Sequence, residues 1–397
     1  MKKILVVLLI LIICVGGYFV IFKKDKVKEF VEKVEEKSGK KKEEEKPVPP
    51  PEWAYLINDN GIFSKYYGQA YEKLKEMTVE EKITQLLLVR MPEVAQKYSS
   101  INYTFGGYIL FDVNVKNKTR DGLINYIKEY QNASKIPLII ASDEEGGTVT
   151  RISRYTSLVA NPFLSPQALY RNGGMDAIIE DTKTKSTILN NYGINVNLAP
   201  VADVSMDPND FIYQRSFGMG PEETGEYVKT VINASKGYNV SYVLKHFPGY
   251  GNNKDTHTGI SIDERTLDYL NANDFIPFKV GIGTGAEAVL VNHNIMVNIE
   301  DGIPASLSLK VHEILRKDLK FTGVIMTDDI AMAAINDYVD RPSVKALLAG
   351  NDMIIISDYQ RGINELLEAY QNGEVTDEML DRAVMRILAW KYYKGLM

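Results

Sequence analysis

Short apolar runs alternate with amphipathic stretches along most of the chain. The amphipathic stretches place apolar residues at helical spacing, and the last one begins at Thr376, a residue type that favours helix N-termini. This alternation is typical of parallel strands joined by helices, so it predicts an α/β fold, either a (β/α)8 barrel of the TIM type or an open doubly wound sheet. The eight apolar runs are Ile83–Arg90, Gly107–Phe111, Ile136–Ser142, Ile194–Pro200, Tyr242–His246, Ala288–His293, Gly323–Thr327 and Asp352–Ser357, and the clearest helical patterns are Glu222–Ala234, Ser308–Leu319, Val344–Ala349, Ile363–Tyr370 and Thr376–Tyr393.

Polar residues capable of chemistry follow directly after these apolar runs. A parallel barrel brings the carboxyl ends of all its strands to one rim, where its functional groups collect. The polar positions therefore favour a single barrel over the open sheet. The sequence contains neither a Gly-rich dinucleotide motif nor a GxxxxGK[ST] phosphate loop. The residues concerned are Asp143, Asp203, Lys245, His246, His293 and Asp328.

The first 52 residues differ from the rest of the chain. Residues Ile4 to Phe22 carry no charge and are flanked by lysines, and this length is just enough for a helix to cross a hydrocarbon core. We expect a transmembrane anchor over residues 1–22, a charged and Pro-rich linker over 23–52 and a folded domain over 53–397. A cleaved signal peptide is the alternative, although no A-x-A-like cleavage site follows the apolar run.

An anchor of this kind would make the chain a single-pass protein of the cell membrane. Lysines stand on both sides of the apolar run, and by the positive-inside rule those at positions 23, 24, 26 and 28 would favour a cytoplasmic domain, so charge alone does not decide the orientation. We expect the folded domain to lie outside the cytoplasm, because the linker has the composition of a spacer between a membrane and a domain.

Charge and cysteine content exclude several classes of function. The formal net charge is −6 and the chain has no arginine-rich stripe, which argues against nucleic-acid binding. The single cysteine, Cys14, lies in the apolar N-terminal run, so the folded domain can form no disulfide and no thiolate metal site. Lipidation of Cys14 is disfavoured, because the bulky residues Leu11, Ile12 and Ile13 precede it.

Two groups of residues could perform acid, base or nucleophilic chemistry. Asp328 comes immediately after a buried strand and could act as a nucleophile, or Asp328 or Asp329 could cap a helix that begins near Ile330. Asp255 and His257 are two residues apart in a loop, so the carboxylate can orient the imidazole of a general acid. A loop histidine held by a local hydrogen bond is the alternative. A metal site is disfavoured, because the four histidines form no HxH or HxxxH pair.

The remaining candidates depend on local geometry. Lys245 and His246 are neighbours in a strand and would point to opposite faces, unless the strand bends near Pro248 and Gly249. Arg215, judged alone, is typical of a surface ion pair. His312 is expected on an ordinary helix surface.

Several motifs in the folded domain together resemble glycoside hydrolase family 3, in particular its single-domain β-N-acetylhexosaminidase branch. The resemblance extends from about Thr78 to the end of the chain. The motifs are Lys82–Leu87, Asp143–Gly147 continuing to Arg151, Asn197–Asp203, Arg215–Gly218, Lys245–Gly251, Asp255–His257 and Thr327–Asp329.

The resemblance implies a barrel enzyme with a retaining mechanism and no metal or organic cofactor. It implies that Asp328 is the nucleophile and that His257, paired with Asp255, is the acid and base. The sugar-binding positions of the family correspond to Asp143, Arg151, Arg215, Lys245 and His246. The substrate expected from the resemblance is a terminal GlcNAc on peptidoglycan fragments, including muropeptides, or on chitooligosaccharides.

Three substitutions separate this chain from the usual pattern of the branch. Tyr250 stands where a second histidine is usual, Glu144 replaces a glutamine and Thr148 replaces an arginine. The interval between Gly251 and Asp255 is also one residue shorter than is usual in the branch. Two alternative functions stay open: a glycoside phosphorylase on the same scaffold, because a histidine acid does not repel a phosphate acceptor, and an inactive cell-surface protein that binds glycans.

Overall fold

Eight parallel strands form the centre of the fold in a computed structural model that describes residues 50–93, 100 and 102–397. They are β1 (Leu87–Arg90), β2 (Gly107–Leu110), β3 (Ile139–Ser142), β4 (Val196–Asn197), β5 (Ser241–Phe247), β7 (Ala288–Val291), β9 (Val324–Thr327) and β10 (Ile354–Ile356). Their order in the sheet is β10-β1-β2-β3-β4-β5-β7-β9. The two outermost strands approach each other through a parallel bridge between Met326 and Met353, so the barrel is nearly closed. Two further strands, β6 (Ile262–Asp263) and β8 (Ile295–Met296), pair with each other in a separate sheet.

Helices follow the strands and cover the outside of the barrel. The α-helices are α1 (Tyr67–Lys75), α2 (Val79–Gln85), α3 (Asp112–Val115), α4 (Arg120–Ala133), α5 (Pro166–Tyr192), α6 (Pro221–Ser235), α7 (Leu267–Ala272), α8 (Phe275–Thr284), α9 (Val297–Glu300), α10 (Leu309–Glu313), α11 (Ala333–Asn336), α12 (Pro342–Ala349), α13 (Tyr359–Gln371) and α14 (Asp377–Tyr393). Short 3-10 turns occupy Glu52–Tyr55, Ser64–Tyr66 and Ala305–Leu307, and a π-helical turn occupies Ile314–Asp318.

The predicted alternation of strands and helices is confirmed, with two differences at the ends of elements. The run Ile83–Arg90 is part helix and part strand, because Thr78 forms a capping box with Glu81 and begins α2, which continues to Gln85. The predicted helix Ser308–Leu319 changes into the π-helical turn after Glu313.

The barrel strands are apolar because helices cover one face and packed side chains fill the other. All seven residues of β5 are buried, as are all four residues of β3, β7 and β9. A fully buried aliphatic side chain contributes roughly 1.5–3 kcal/mol, so these strands carry much of the hydrophobic stabilisation. The polar residues that follow them are thereby held on a rigid rim.

The fold class predicted from the sequence needs one correction. It placed a transmembrane helix before the barrel, but no helix within residues 50–93, 100 and 102–397 is long and apolar enough to cross a membrane. The apolar run Ile4–Phe22 and most of the predicted linker lie outside the described residues. A lack of charge over some twenty residues is necessary for a spanning helix but does not by itself establish one.

Candidate active site

The carboxyl ends of the barrel strands surround one pocket of about 570 Å³. Seven of the eight predicted site residues line it, namely Asp143, Arg151, Arg215, Lys245, His246, His257 and Asp328. The eighth, Asp255, contacts His257 from the side. The structure therefore brings together residues that are up to 185 positions apart in the sequence, as the barrel predicts.

One side of the pocket is a buried network of alternating charges. Lys245 Nζ lies 2.8 Å from Asp143 Oδ1 and 2.6 Å from Glu145 Oε1. Arg215 donates two hydrogen bonds to the Glu145 carboxylate, at 3.0 and 2.8 Å, and Arg151 donates one to Asp143 at 3.1 Å. Arg215 is thus part of a buried network and not of a surface ion pair.

The network keeps Glu145 and Lys245 charged. Burial tends to raise the pKa of Glu145, but Arg215 and Lys245 outweigh this and hold that pKa far below its usual range. Burial tends to lower the pKa of Lys245, yet Asp143 and Glu145 raise it overall. A rigid set of paired charges can orient the hydroxyl groups of a sugar without reorganising.

His246 points into the same pocket as Lys245. The pairing of β5 with β7 shifts register between Leu244 and Phe247, so the regular alternation of side chains is interrupted there, near the predicted bend. The His246 Nδ1–H donates to Asp203 Oδ2 at 2.7 Å, and Arg215 donates to Nε2 at 3.1 Å. Asp203 is completely buried and fixes the orientation of the ring.

The two consecutive aspartates after β9 have different surroundings. Asp328 lines the pocket, and its Oδ1 accepts a hydrogen bond from the Asp329 N–H at 2.9 Å. Burial tends to raise the pKa of Asp328, but the histidines around it, His293, His246 and His257, outweigh this and lower it. The helix-cap alternative for Asp328 is wrong, because the next helix, α11, has Met332 at its N-cap.

Asp329 instead shapes the turn that follows β9. Its Oδ1 accepts from the Ala331 N–H at 2.9 Å, and its Oδ2 accepts from the Ser357 hydroxyl at 3.3 Å. Burial raises the pKa of Asp329 to about 6. The buried His293 donates from Nε2 to the Asp329 carbonyl at 3.1 Å, which fixes the turn from below.

His257 and Asp255 form the predicted pair in the loop after β5. The His257 Nδ1–H donates to Asp255 Oδ1 at 2.7 Å, and the His257 backbone N–H donates to the same oxygen at 3.0 Å. This bond leaves Nε2 as the ring nitrogen that can meet a substrate. The His257 side chain is 61% exposed, in contrast to the buried His246.

Two residues of the site, one beside the pocket and one in its lining, were not singled out from the sequence. Glu145 belongs to the motif Asp143–Gly147, but its pairing with Arg215, 70 positions away, depends on the fold. Arg90 ends β1 and lines the pocket with its guanidinium 4.5 Å from the centre of the Phe111 ring. Its position at the end of a predicted strand was the feature of the sequence that could have identified Arg90 as a pocket residue.

Glu144, one of the departures from the usual pattern, is buried beneath this site. Its carboxylate accepts hydrogen bonds from the backbone N–H groups of Arg151 and Ile152 and from the Ser153 hydroxyl. Burial raises the pKa of Glu144 although these donors oppose the shift. Glu144 therefore holds the backbone that carries Arg151.

One sequence-based expectation outside the site was wrong. His312, expected on a helix surface, is 2% exposed, and its Nδ1–H donates to the Ser308 carbonyl at 2.7 Å. Gly350 lies against the ring and Asn351 follows it, so the helix face that carries His312 is covered. Among the residues that the structure describes, no group of three or more His, Cys, Asp or Glu side chains is placed to hold a metal ion.

Comparisons with known proteins place the chain among glycoside hydrolases. Residues 78–390 match the family model described as the glycosyl hydrolase family 3 N-terminal domain. The chain is 30% identical over 333 residues to β-hexosaminidase A of Pseudoalteromonas piscicida, a match that covers 76% of this chain and 55% of that protein. It is 29% identical to β-hexosaminidase LpqI of Mycobacterium tuberculosis, with 79% and 83% covered.

Solved structures give the same result. A glycoside hydrolase family 3 β-N-acetylglucosaminidase from Paenibacillus superposes with a TM-score of 0.73 at 27% identity, covering 81% of this chain and 63% of that one. The chain thus spans less than two thirds of two of these relatives, 55% and 63%, and 83% of the third. Because the family model covers nearly the whole barrel and the motifs lie at its rim, this chain belongs to glycosyl hydrolase family 3.

Proposed function

We propose that the chain is a retaining exo-β-N-acetylglucosaminidase that removes terminal GlcNAc from peptidoglycan fragments or chitooligosaccharides. The observation that carries the proposal is the shared pocket of Asp328 and His257, with Asp255 bonded to His257 Nδ1. Double displacement needs a carboxylate nucleophile and an acid that becomes a base after losing its proton, and this pocket offers both. The names of the relatives, β-hexosaminidase and β-N-acetylglucosaminidase, support an amino-sugar substrate.

In the first step Asp328 attacks the anomeric carbon and the glycosidic bond breaks. His257 gives the proton on Nε2 to the departing oxygen, while Asp255 stabilises the ring through Nδ1–H. The lowered pKa of Asp328 keeps this carboxylate ionised for attack. In the second step His257 Nε2 takes a proton from water, the water oxygen attacks the anomeric carbon, and the bond to Asp328 breaks.

The charged network opposite would bind the sugar ring. Asp143 can accept hydrogen bonds from hydroxyl groups, whereas Arg151, Arg215 and Lys245 can donate them, and His246 is held by Asp203 and Arg215 beside them. Such contacts position the anomeric carbon over the nucleophile.

Paired aryl substrates test the proposal. We expect the parent to release the phenol from an aryl N-acetyl-β-glucosaminide much faster than from the matching β-glucoside, and to give the β-anomer of GlcNAc first, as seen by NMR. Asp328→Ala should lower kcat by about a thousandfold or more and His257→Ala by about a hundredfold. Lys254→Ala, an exposed change in the same loop, serves as the control. An Asp328→Ala variant with parental activity would refute the assignment.

Phosphorolysis is the second candidate, because the pocket contains a cation suited to an anionic acceptor. Arg90 lines the pocket and, in the described part of the chain, makes no ion pair with a carboxylate. An imidazole acid also lacks the negative charge that would repel phosphate. If added phosphate yields sugar 1-phosphate at the expense of free sugar, hydrolysis is the secondary reaction. Binding of GlcNAc oligomers without any release of sugar would identify a glycan-binding protein instead.

A further inference from the structure

The loop that carries His257 is joined to the rest of the site by a buried hydrogen bond of Tyr250. The Tyr250 hydroxyl lies 2.6 Å from Thr256 Oγ1, and the two residues are 1% and 0% exposed. Thr256 stands between Asp255 and His257 in the chain, so its backbone determines where both of those side chains begin. A bond to Thr256 therefore acts on the proposed acid and base together.

Most of the other hydrogen bonds of this segment are local. Both the ring and the backbone N–H of His257 bond to Asp255, and the Thr258 hydroxyl bonds to the Asp255 carbonyl at 2.8 Å. These bonds move with the loop and do not fix it relative to the pocket. Within the described residues, the hydrogen bonds that join Thr256 to groups beyond this segment are the one from Tyr250 and one from the Ala334 N–H to the Thr256 carbonyl at 3.3 Å.

Tyr250 is itself fixed to the sugar-binding side of the pocket. Its backbone N–H donates to Asp203 Oδ1 at 2.7 Å, and the other oxygen of Asp203 accepts from His246 Nδ1, also at 2.7 Å. The Tyr250 ring packs edge-on against the His246 ring with the centroids 5.1 Å apart. Phe211 covers the ring from another side at 5.6 Å. Tyr250 thus has a fixed place relative to His246.

We propose that Tyr250 is a positioning residue that holds His257 at a set distance from the bound sugar. Its hydroxyl fixes Thr256, and with it the Asp255–His257 pair, to the same Asp203 that orients His246. This inference rests on the proposed function, in which His257 moves the proton. Loss of the hydroxyl leaves the buried Thr256 Oγ1 without its partner, and the segment gains water for that oxygen by moving outward.

The test compares Tyr250→Phe with the parent on two N-acetyl-β-glucosaminides that differ in the leaving group. Phenolate needs a proton as it departs and dinitrophenolate does not, so only the phenyl glycoside depends on a well-placed acid. We expect kcat/KM for the phenyl glycoside to fall by about tenfold, with a change under about twofold for the dinitrophenyl glycoside. Azide, which attacks without help from a base, should raise kcat of the variant on the dinitrophenyl glycoside and leave the parent unchanged.

Matched variants separate positioning from general loss of stability. Tyr192→Phe removes another buried hydroxyl, one that donates to the Leu158 carbonyl at 2.6 Å far from the loop, and should leave the leaving-group dependence unchanged. Thr256→Val should reproduce the effect of Tyr250→Phe, and the double variant should show no further loss. Thr256→Ser keeps the hydroxyl and should behave like the parent.

The outcomes distinguish this inference from the proposed function. Equal loss on both glycosides in Tyr250→Phe, or the same pattern in Tyr192→Phe, would overturn the positioning role. A parent that cleaves neither glycoside would refute the proposed function. In that case, amide hydrogen exchange of residues 254–258 still tests whether Tyr250 holds the loop. Faster exchange in Tyr250→Phe, but not in Tyr192→Phe, supports the contact, and exchange at the parental rate overturns it.

Discussion

At the scale of single residues, the site is built from buried charges that stabilise one another. Glu145 is the centre of this arrangement, because its carboxylate bonds to both Arg215 and Lys245 while its side chain is 1% exposed. A buried charge without its partner is strongly destabilising, whereas the intact group is tolerated. The same residue therefore serves the stability of the rim and the placement of two cations that we propose bind the sugar.

Glu145→Gln should accordingly damage both stability and activity. The neutral amide leaves two buried cations short of a counter-charge, and we expect the free energy of unfolding to fall by about 3–5 kcal/mol and kcat/KM to fall with it. Urea unfolding at pH 7 and the aryl glycoside assay measure the two effects.

The control for this prediction is Glu226→Gln. Glu226 pairs with Lys229 on an exposed helix surface, where the two side chains are 54% and 47% exposed, and removal of that pair should cost no more than about 0.5 kcal/mol. Similar small losses in both variants would contradict the role assigned to Glu145.

At the scale of elements, the rim depends on how closely helices pack against the barrel. Helix α8 lies against α6 and β5, and Gly281 on its inner side leaves room for Leu244 and Val228. A Cβ added at Gly281 would come within 2.9 Å of Val228 Cγ1. Gly283, two residues later in α8, has nothing within 4 Å of such a Cβ. Because Leu244 immediately precedes Lys245, packing at Gly281 supports the strand end of the site.

These two glycines give a matched pair of predictions on one helix. Gly281→Ala should lower the free energy of unfolding by about 1–3 kcal/mol through overpacking. Gly283→Ala should raise it by about 0.5–1 kcal/mol, because alanine favours the helix more than glycine does. Thermal or urea unfolding measures both, and the same sign for the two substitutions would contradict the packing argument.

The elements were largely predictable from the sequence, because strands buried on both faces appear as continuous apolar runs. The polar residues at the strand ends, together with the resemblance to glycoside hydrolase family 3, pointed to seven residues that line the pocket. What the sequence did not show depends on contacts between distant parts of the chain. Lys245 and His246 both line the pocket where the register of β5 against β7 shifts, and this pairing joins segments that are distant in the sequence. The burial of His312 likewise involves a distant segment, because Gly350 lies next to it.

At the scale of the whole molecule, the two ends of the barrel domain meet at the amino-terminal side of the strands. Lys391, near the end of α14, is completely buried, and its Nζ donates to Gln85 Oε1 at 2.9 Å. The Gln85 amide in turn donates to the carbonyls of Thr104 and Phe105, just before β2. This chain of bonds joins the last helix to the first two strands.

Lys391 should make the free energy of unfolding rise as the pH increases from about 7 to about 10.5. Burial lowers the pKa of Lys391 from 10.5 to about 7. In the unfolded chain the Lys391 amine stays protonated up to about pH 10.5, whereas in the folded domain it loses its proton near pH 7. The contribution of Lys391 to stability is therefore complete above about pH 10.5 and is lost as the pH falls toward 7. The shift corresponds to a change on the order of 4–5 kcal/mol across this range.

Lys391→Met removes the titration and keeps the length of the side chain. At pH 7 we expect the free energy of unfolding of the variant to be about 2 kcal/mol higher than that of the parent. The variant avoids the penalty for burying the amine, and this gain exceeds the loss of about 1–3 kcal/mol from the broken hydrogen bond to Gln85. Near pH 10.5 the buried amine is neutral, only the lost bond remains, and the order should reverse. Urea unfolding of both proteins at several pH values measures the crossing, with the exposed Lys229→Met as the control. A difference between variant and parent that does not change with pH would show that Lys391 does not titrate in this range.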